Sequence, residues 1–507
     1  MASLAAVKHW DDEADVVIVG YGLAGATAAI EARDQDPDAD ILILEKLGEH
    51  HAGGNSRVSG QSLLIAKDKE ALKDYQRALS RSNPISEEML DAWAARMVEL
   101  EPFIEARANE AGARYIHSAG WSERGRILEF PEYGAERAVA HTATILPVPS
   151  GVWLAFEACV KRRRIRIAHD MPIIDLVQDP DTLEVFGVIA LRGGRRIAIK
   201  ARRAVVLACG GFENDLDMQR NYFGLADCAP LGTPGNTGDG IRILQKAGAA
   251  LWHLRNQGQS GGIWPGFRFP GHDTAFLRTL FWQSFSWIDI AGDDRRFVDE
   301  TAEWQLTHYK QKLHGEYIDT PHHRVGRMHM LFDETTRRHN RLVTEVMTWN
   351  TVVAGYGWSE DNAKEIESGW IVRSGSIEDL AGRIGRDPAA VAATVGRYNR
   401  ACKEGVDTEF GRNAATLHPV AAPPYYAIEI VPAIVCTGGG ARRNIESEVL
   451  DHAGRAIPRL YEAGELGSMF SNLYQNGSYL TEAMISGRAA GRNAVMRLPW
   501  QVTLEAG

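Results

Sequence analysis

The chain is poor in the features that would set it apart from ordinary globular proteins. Its five cysteines (Cys159, Cys209, Cys228, Cys402 and Cys436) are far apart and form no C-x-x-C pair. That fits a reducing compartment and excludes a sequence-evident zinc or iron–sulfur site. No apolar run reaches the roughly 20 residues of a membrane span. The start, MASLAAVKHWDDEAD, has neither a long apolar core nor a twin arginine, so no export signal is expected and a cytoplasmic, soluble protein is the default. Positive charge is in deficit: the formal net charge of −10 argues against a general nucleic-acid binder. The one basic run, Lys161 to Arg166, reads as the solvated lead-in to a strand. Internal repeats and low-complexity tracts are absent. His308, His314, His322, His323 and His329 match neither H-x₃-H nor HExxH, so no metal is expected there.

What the chain does have is length and glycine. Its 507 residues allow two or more domains, and 50 glycines exceed average usage. Three of them stand in "DVVIVGYGLAGATAAIEA", where an apolar strand meets an alanine-rich helix across Gly20, Gly22 and Gly25. In a G-x-G-x-x-G turn the first glycine permits the sharp bend and the second admits a pyrophosphate. The third, with Ala24 beside it, lets helix and strand pack closely. The free N–H groups of the helix face the phosphates. A second strand, "ILILEK", ends in Glu45 and Lys46, and a carboxylate there holds ribose hydroxyls. A dinucleotide is therefore expected, and the acidic Glu45 disfavours a 2′-phosphate. "AGGNSRVSGQSL" then supplies Gly54, Asn55, Ser56, Ser59 and Gly60, small and polar groups suited to a longer cofactor such as a flavin dinucleotide.

The ordered series "GYGLAG", "EK", "GGNSRVSG", "AVVLACGGFEND", "NTGDG" and "AGELGS…GRAAG" resembles the fumarate reductase/3-ketosteroid dehydrogenase flavoproteins over nearly the whole chain. The resemblance implies an α/β fold: a Rossmann-like FAD-binding domain with an inserted α+β cap, or substrate, domain and an active site between them. The expected division is residues 1–260 and 431–507 for the FAD domain and 261–430 for the cap. It implies FAD contacts from Gly210, Gly211, Asp239, Glu465, Tyr479 and Leu480, and a helix beginning near Thr481 whose positive end favours reduced flavin. Relatives with covalent FAD carry a histidine where this chain has Asn55, so non-covalent FAD is expected.

The family's chemistry moves a hydride between flavin N5 and a carbon, and a proton at the neighbouring carbon. The acid arginine of fumarate reductases, four residues after the glutamate of "RF-x-x-E", falls here on Trp304. Their second arginine falls on Tyr474, and their substrate histidine near Cys436. All three substitutions argue against a fumarate reductase. Tyr474 with the Gly477 N–H instead suits a carbonyl oxygen gaining enolate character, as in the ketosteroid dehydrogenases. Tyr309, then His308, are the candidate proton carriers. "GGGARRN" resembles tricarballylate dehydrogenases, in which Arg442 or Arg443 would clamp a carboxylate. His141 is a further candidate for the substrate pocket.

The aromatics Trp264, Phe281, Trp282, Trp287 and Trp304 point to an apolar, cyclic substrate. The expected activity is an FAD-dependent dehydrogenase acting on CH–CH groups, introducing a C=C bond α,β to the carbonyl of a cyclic ketone or oxo-acid. A polycarboxylate dehydrogenase and an ene reductase running the reverse reaction are the alternatives, and a non-catalytic FAD-binding protein is the alternative from another class. The partners expected are a small-molecule substrate and an electron acceptor that the sequence does not identify; it gives no oligomeric state.

Overall fold

The computed structural model describes residues 2–81, 83–118, 128–224, 228–255, 264–268, 271–302, 307–308, 310–319 and 325–500. The chain divides into two compact units, one of Met1–Gly224, Gly232–Ser260 and Cys436–Gly507, the other of Leu225–Leu231 and Gly261–Val435.

The first unit is built on an eight-stranded sheet. It includes β1 (Asp12–Val19), β2 (Ile41–Leu44) and, later in the chain, Glu448–Leu450 and Ala456–Glu462, with four further strands from the stretch between them. Between β2 and that last strand come β3 (Leu63–Ala66), β4 (Arg114–Ser118), β5 (Val139–Leu146), β6 (Arg166–Ala168), β7 (Ile173–Gln178), β8 (Val185–Arg192) and β9 (Arg195–Leu207). Ala456–Glu462, β9, β1, β2 and β6 run parallel in that order. Parallel strands covered on both faces read as continuous apolar runs, not as alternation, which is why "VVIV", "ILIL" and "AVVL" look as they do. β7, β8 and β9 form an antiparallel meander, and β9 continues from it into the parallel sheet.

Two helices lie together along this sheet: Leu23–Gln35 after β1, and Ser478–Val495 near the chain end. Their contact depends on small residues. A Cβ on Gly487 would stand 2.6 Å from the Ala24 carbonyl oxygen, and one on Gly491 2.1 Å from that of Ala28. The "SGRAAG" run thus lets the return helix lie against the backbone of the first one, while Arg488 and Arg492 clasp Glu31 at its side. A small separate sheet, β3–β5–β4, joins the return segment where Leu64 N donates to Gly477 O at 3.2 Å.

The second unit centres on Tyr425–Ile434, which pairs with Met328–Asp333, Trp264–Phe267 and Val372–Ser374 in a seven-stranded sheet. Alternation with period two sorts its faces. Met328, Met330, Phe332, Tyr426, Ile428 and Ile430 join an aromatic layer. Leu331 and Ala427 face the helices Ile377–Arg383 and Pro388–Glu404. Those helices begin behind Ser376 and Asp387, whose side chains cap them.

Candidate functional site

Strand register decides where the loops of the first unit gather. Val19 lies opposite Leu44 and Leu207, and Leu207 opposite Glu462, so four chain segments leave the sheet at one edge. That edge, outside the carboxyl ends of parallel strands, is where open α/β sheets bind ligands. Gly20 turns there with φ of +102°, and a Cβ on it would meet Ala208 O at 2.3 Å. A Cβ on Gly25 would stand 2.0 Å from Gly20 O. Gly22 differs: its nearest neighbours would be Ser56 Oγ at 3.5 Å and Gly53 O at 3.7 Å, so space stays open before the helix. Leu23 N, at that helix start, donates to Ser56 Oγ at 3.0 Å. Glu45 is held with both oxygens defined, Oε2 by Tyr21 N and Oε1 by Leu47 N, each at 2.9 Å.

A second group ties five distant segments together. Asn55 Nδ2 donates to Glu213 Oε1 at 2.6 Å and to Glu465 Oε2 at 3.2 Å, while its Oδ1 accepts from Thr233 N at 2.9 Å. Thr437 N donates to Glu465 Oε1 at 2.9 Å, and Asn236 Nδ2 to Glu213 Oε1 at 3.0 Å. Gly211 is the floor beneath both carboxylates, since a Cβ there would fall 2.4 Å from Glu465 Oε1 and 2.5 Å from Glu213 Oε2. Burial pushes the Glu213 carboxyl up to about 7, against the hydrogen bonds from Asn236 and Asn55. Burial and then the neighbouring Glu213 raise Glu465 well above the ordinary carboxylate range. Two carboxylates this close hold a proton between them at neutral pH.

The return segment brings a phenol to a helix start. The helix begins at Ser478 behind Gly477, three residues before the Thr481 expected from the sequence, because Gly477 takes the left-handed conformation with φ of +87°. A side chain on Gly477 would strike Leu64 N at 2.7 Å. The loop before it is fixed by Glu129, whose Oε2 accepts from Asn476 N at 2.6 Å and whose N donates to Gln475 Oε1 at 3.1 Å. Tyr474 is buried against Phe470 and Tyr479, with ring centroids 5.7 and 4.9 Å away. Burial first, then the neighbouring Cys436 and Glu129, push its phenol well above the usual range. The group therefore stays protonated at neutral pH.

The profile of the FAD binding domain family matches residues 15–479. The chain belongs to that family. It is an FAD-dependent oxidoreductase, and the site fits its cofactor. Open space at Gly22 lies before a free helix start. The buried hydroxyls of Ser62 and Ser478, on either side of Gly477, have no hydrogen-bond partner among the described residues. The chain is 28% identical to digoxin reductase of Eggerthella lenta, over 97% of its own length and 89% of that protein. It is 27% identical to 3-oxosteroid 1-dehydrogenase of Mycobacterium tuberculosis, over 53% of this chain and 48% of that one. Its fold resembles 3-ketosteroid delta1-dehydrogenase from Sterolibacterium denitrificans (TM-score 0.74, 19% identity, 96% of this chain and 99% of that one). A flavocytochrome c3 fumarate reductase is also similar (TM-score 0.68, 22% identity, 97% and 79%).

Several sequence-derived candidates stand elsewhere than expected. Arg443 does not offer a free clamp for a carboxylate. It is 5% exposed, its Nε lies 2.9 Å from Glu462 Oε2, and Nη2 pairs with Glu482. Arg442, the next residue, carries an exposed side chain. Trp287 is core of the second unit, stacked on Trp282 at 4.4 Å under the guanidinium groups of Arg278 and Arg412. Trp264 is likewise a buried strand residue, so neither speaks for an apolar substrate. His141 faces Glu101 and His117. His308 is buried in the second unit, and Trp304 and Tyr309 lie outside the described residues. The side chains of Lys46 and Asp239 are joined to each other at 2.7 Å. Ser59 is bonded within its own loop, Gly60 is exposed, and Tyr479 and Leu480 occupy the first turn of the return helix.

Sequence reasoning passed over Glu213 and Glu129, because a glutamate in a loop gives no sign of burial. It also preferred Gly54 to Gly53. A side chain on Gly54 would meet nothing, whereas Gly53 has φ of +114° and would strike Arg57 and Trp153.

Proposed function

We propose that this FAD-dependent oxidoreductase of CH–CH groups is a dehydrogenase that introduces a C=C bond α,β to the carbonyl of a cyclic ketone or oxo-acid. The observation that carries the reading is a buried, protonated phenol, Tyr474, three residues from the N-terminus of an 18-residue helix at Gly477. Two neutral donors aimed at one oxygen stabilise enolate charge in a site of low polarity, an effect worth about 10²–10³-fold in rate per donor. Glu129 and Leu64 hold the loop that carries them, so that they need little rearrangement.

Bound FAD would supply the hydride acceptor. On this reading Gly20, Gly22, Ala24 and Gly25, with the first helix, hold the pyrophosphate, and Glu45 the adenosine ribose. Asn55, Glu465, Glu213 and Gly211 take the middle of the molecule, with Gly210 and Ser56 beside them, and Tyr479 and Leu480 flank its flavin end. Asn55 has no nucleophilic atom, so the cofactor is held without a covalent bond. The second unit is the cap or substrate domain, contributing His308 or Tyr309 as proton carrier.

A second reading, ene reduction, is favoured by the relatives that match along most of their length, digoxin reductase and the vinyl phenol reductase of Lactiplantibacillus plantarum. The same donors serve both directions. The deciding experiment is anaerobic bleaching of the flavin absorption by saturated cyclic ketones, oxo-acids and polycarboxylates, with Tyr474→Phe alongside. Bleaching by a ketone, slowed in the variant, supports the dehydrogenase. No bleaching, with reoxidation of the reduced enzyme by an enone, overturns it in favour of the reductase.

A further inference from the structure

Three side chains from separate elements converge on one point. Glu101 opens the helix Glu101–Ala111, His117 stands on β4 and His141 on β5. β4 and β5 are antiparallel, with His117 opposite Ala143. His141 is therefore the diagonal neighbour of His117 on the same face, within reach for long side chains. The two imidazoles lie together with ring centroids 3.8 Å apart. Both direct Nε2 at the same carboxylate oxygen, Glu101 Oε1, at 2.9 Å from His141 and 3.6 Å from His117. One ligand atom from each residue lies within 4.8 Å of the other two.

We propose that Glu101, His117 and His141 form a binding site for a divalent transition-metal ion of the zinc class. Metal–ligand bonds of about 2.0–2.1 Å at tetrahedral angles put neighbouring ligand atoms about 3.3 Å apart, and the two observed N–O distances straddle that value. Two imidazoles and one carboxylate are a donor set of intermediate hardness, suited to Zn²⁺ and not to Ca²⁺ or Mg²⁺, which take oxygen ligands. The site also has an outer support. Tyr115 Oη donates to Glu101 Oε1 at 2.6 Å, the kind of hydrogen bond that orients a ligating carboxylate. The His117 side chain is 65% exposed, which gives the ion an entry path and leaves the fourth position to water. Metal binding needs neutral imidazoles and an ionised carboxylate, so it weakens in acid.

The site matters for the fold around it. β5 pairs with β3, placing His141 opposite Ile65, and the next residue, Leu64, is bonded to Gly477. An ion would pin the helix Glu101–Ala111 to this three-stranded sheet.

The test is calorimetric titration of the FAD-loaded, chelator-dialysed, tag-free protein with Zn²⁺ alone, with melting followed in parallel. The expected result is one saturable site per chain and a rise in Tm with zinc. His117→Gln and Glu101→Gln should each weaken binding at least ~100-fold, and Tyr115→Phe about 10-fold with stoichiometry kept. Unchanged flavin absorption and near-ultraviolet dichroism would establish that the variants fold. Absence of saturable binding below about 100 μM zinc, or equal binding by wild type, His117→Gln and Glu101→Gln, overturns the proposal. Equal binding would put the ion elsewhere, as at the exposed His50–His51 pair.

Discussion

Replacing Arg443 by methionine distinguishes a buried brace from a substrate clamp. The guanidinium is surrounded by Glu462, Glu482 and the carbonyl of Gly467, and all three side chains are at most 5% exposed. Two carboxylates share one cation, and burial pushes Glu462 up to about 8 against the pull of Arg443. Removing one partner of such a group leaves uncompensated buried charge, costing about 3–5 kcal/mol. For a unit of roughly 300 residues, with an unfolding entropy of about 2 cal/mol/K per residue, that is a fall in Tm of ~5–8 °C. The sign with pH follows from the direction of the shift. A carboxyl raised in the folded state lends stability at low pH and loses it as pH rises through its folded value. Without Arg443 both carboxyls rise further, so the variant should be most impaired near pH 8 and recover towards pH 5.5, where protonation removes the charge. Adding Glu482→Gln should restore part of the loss at pH 8. The assay is thermal melting across that pH range, with KM measured in parallel. A wild-type melting curve combined with a raised KM for a carboxylate substrate would refute the reasoning and return Arg443 to substrate binding.

Gly491→Ala places a methyl group against the Ala28 carbonyl. The two helices must part, at about 1–3 kcal/mol of overpacking against at most ~1 kcal/mol of helix propensity gained; flavin content after purification should drop, and full retention would count against the close contact. In FAD-stripped protein, stability should fall as pH rises from about 4.5 through 7, because burial holds Glu213 and Glu465 up. Glu465→Gln should flatten that dependence in melts taken between pH 5 and 8. Tyr474→Phe should lower kcat about 10²–10³-fold with flavin absorption intact, and a variant as fast as wild type would remove the phenol from the mechanism. Arg296 is buried between Glu300 and Asp407, so Arg296→Met should cost the second unit about 3–5 kcal/mol, read as faster limited proteolysis of that unit with the first left intact.

The loop edge around Gly20 and Glu45 was legible because each of its parts is local. A glycine turn, an apolar run of four and a capped helix are decided by neighbours in sequence, and their order along the chain carries the resemblance. The same logic shows why "RRFVDE" forms a recognisable unit: Arg296 and Glu300, one helical turn apart in sequence, pair with each other and reach Asp407. Charge pairing across long separations was not legible. Arg443 looked available because its partners are remote in sequence: they arrive from a strand end and from the return helix. Trp287 looked like a substrate wall because aromatic composition does not say which face of a strand a residue takes.

The sequence by itself determined the glycine turn, the carboxylate that ends the second strand, the parallel strands and the small-residue faces of the two helices. All follow from backbone sterics and short-range apolar periodicity. Only the tertiary structure decided which polar groups lose water together. It set Glu213 against Glu465, Arg443 between Glu462 and Glu482, and Glu101 beside His117 and His141, because the charge state of a buried group depends on neighbours that the chain brings in from elsewhere.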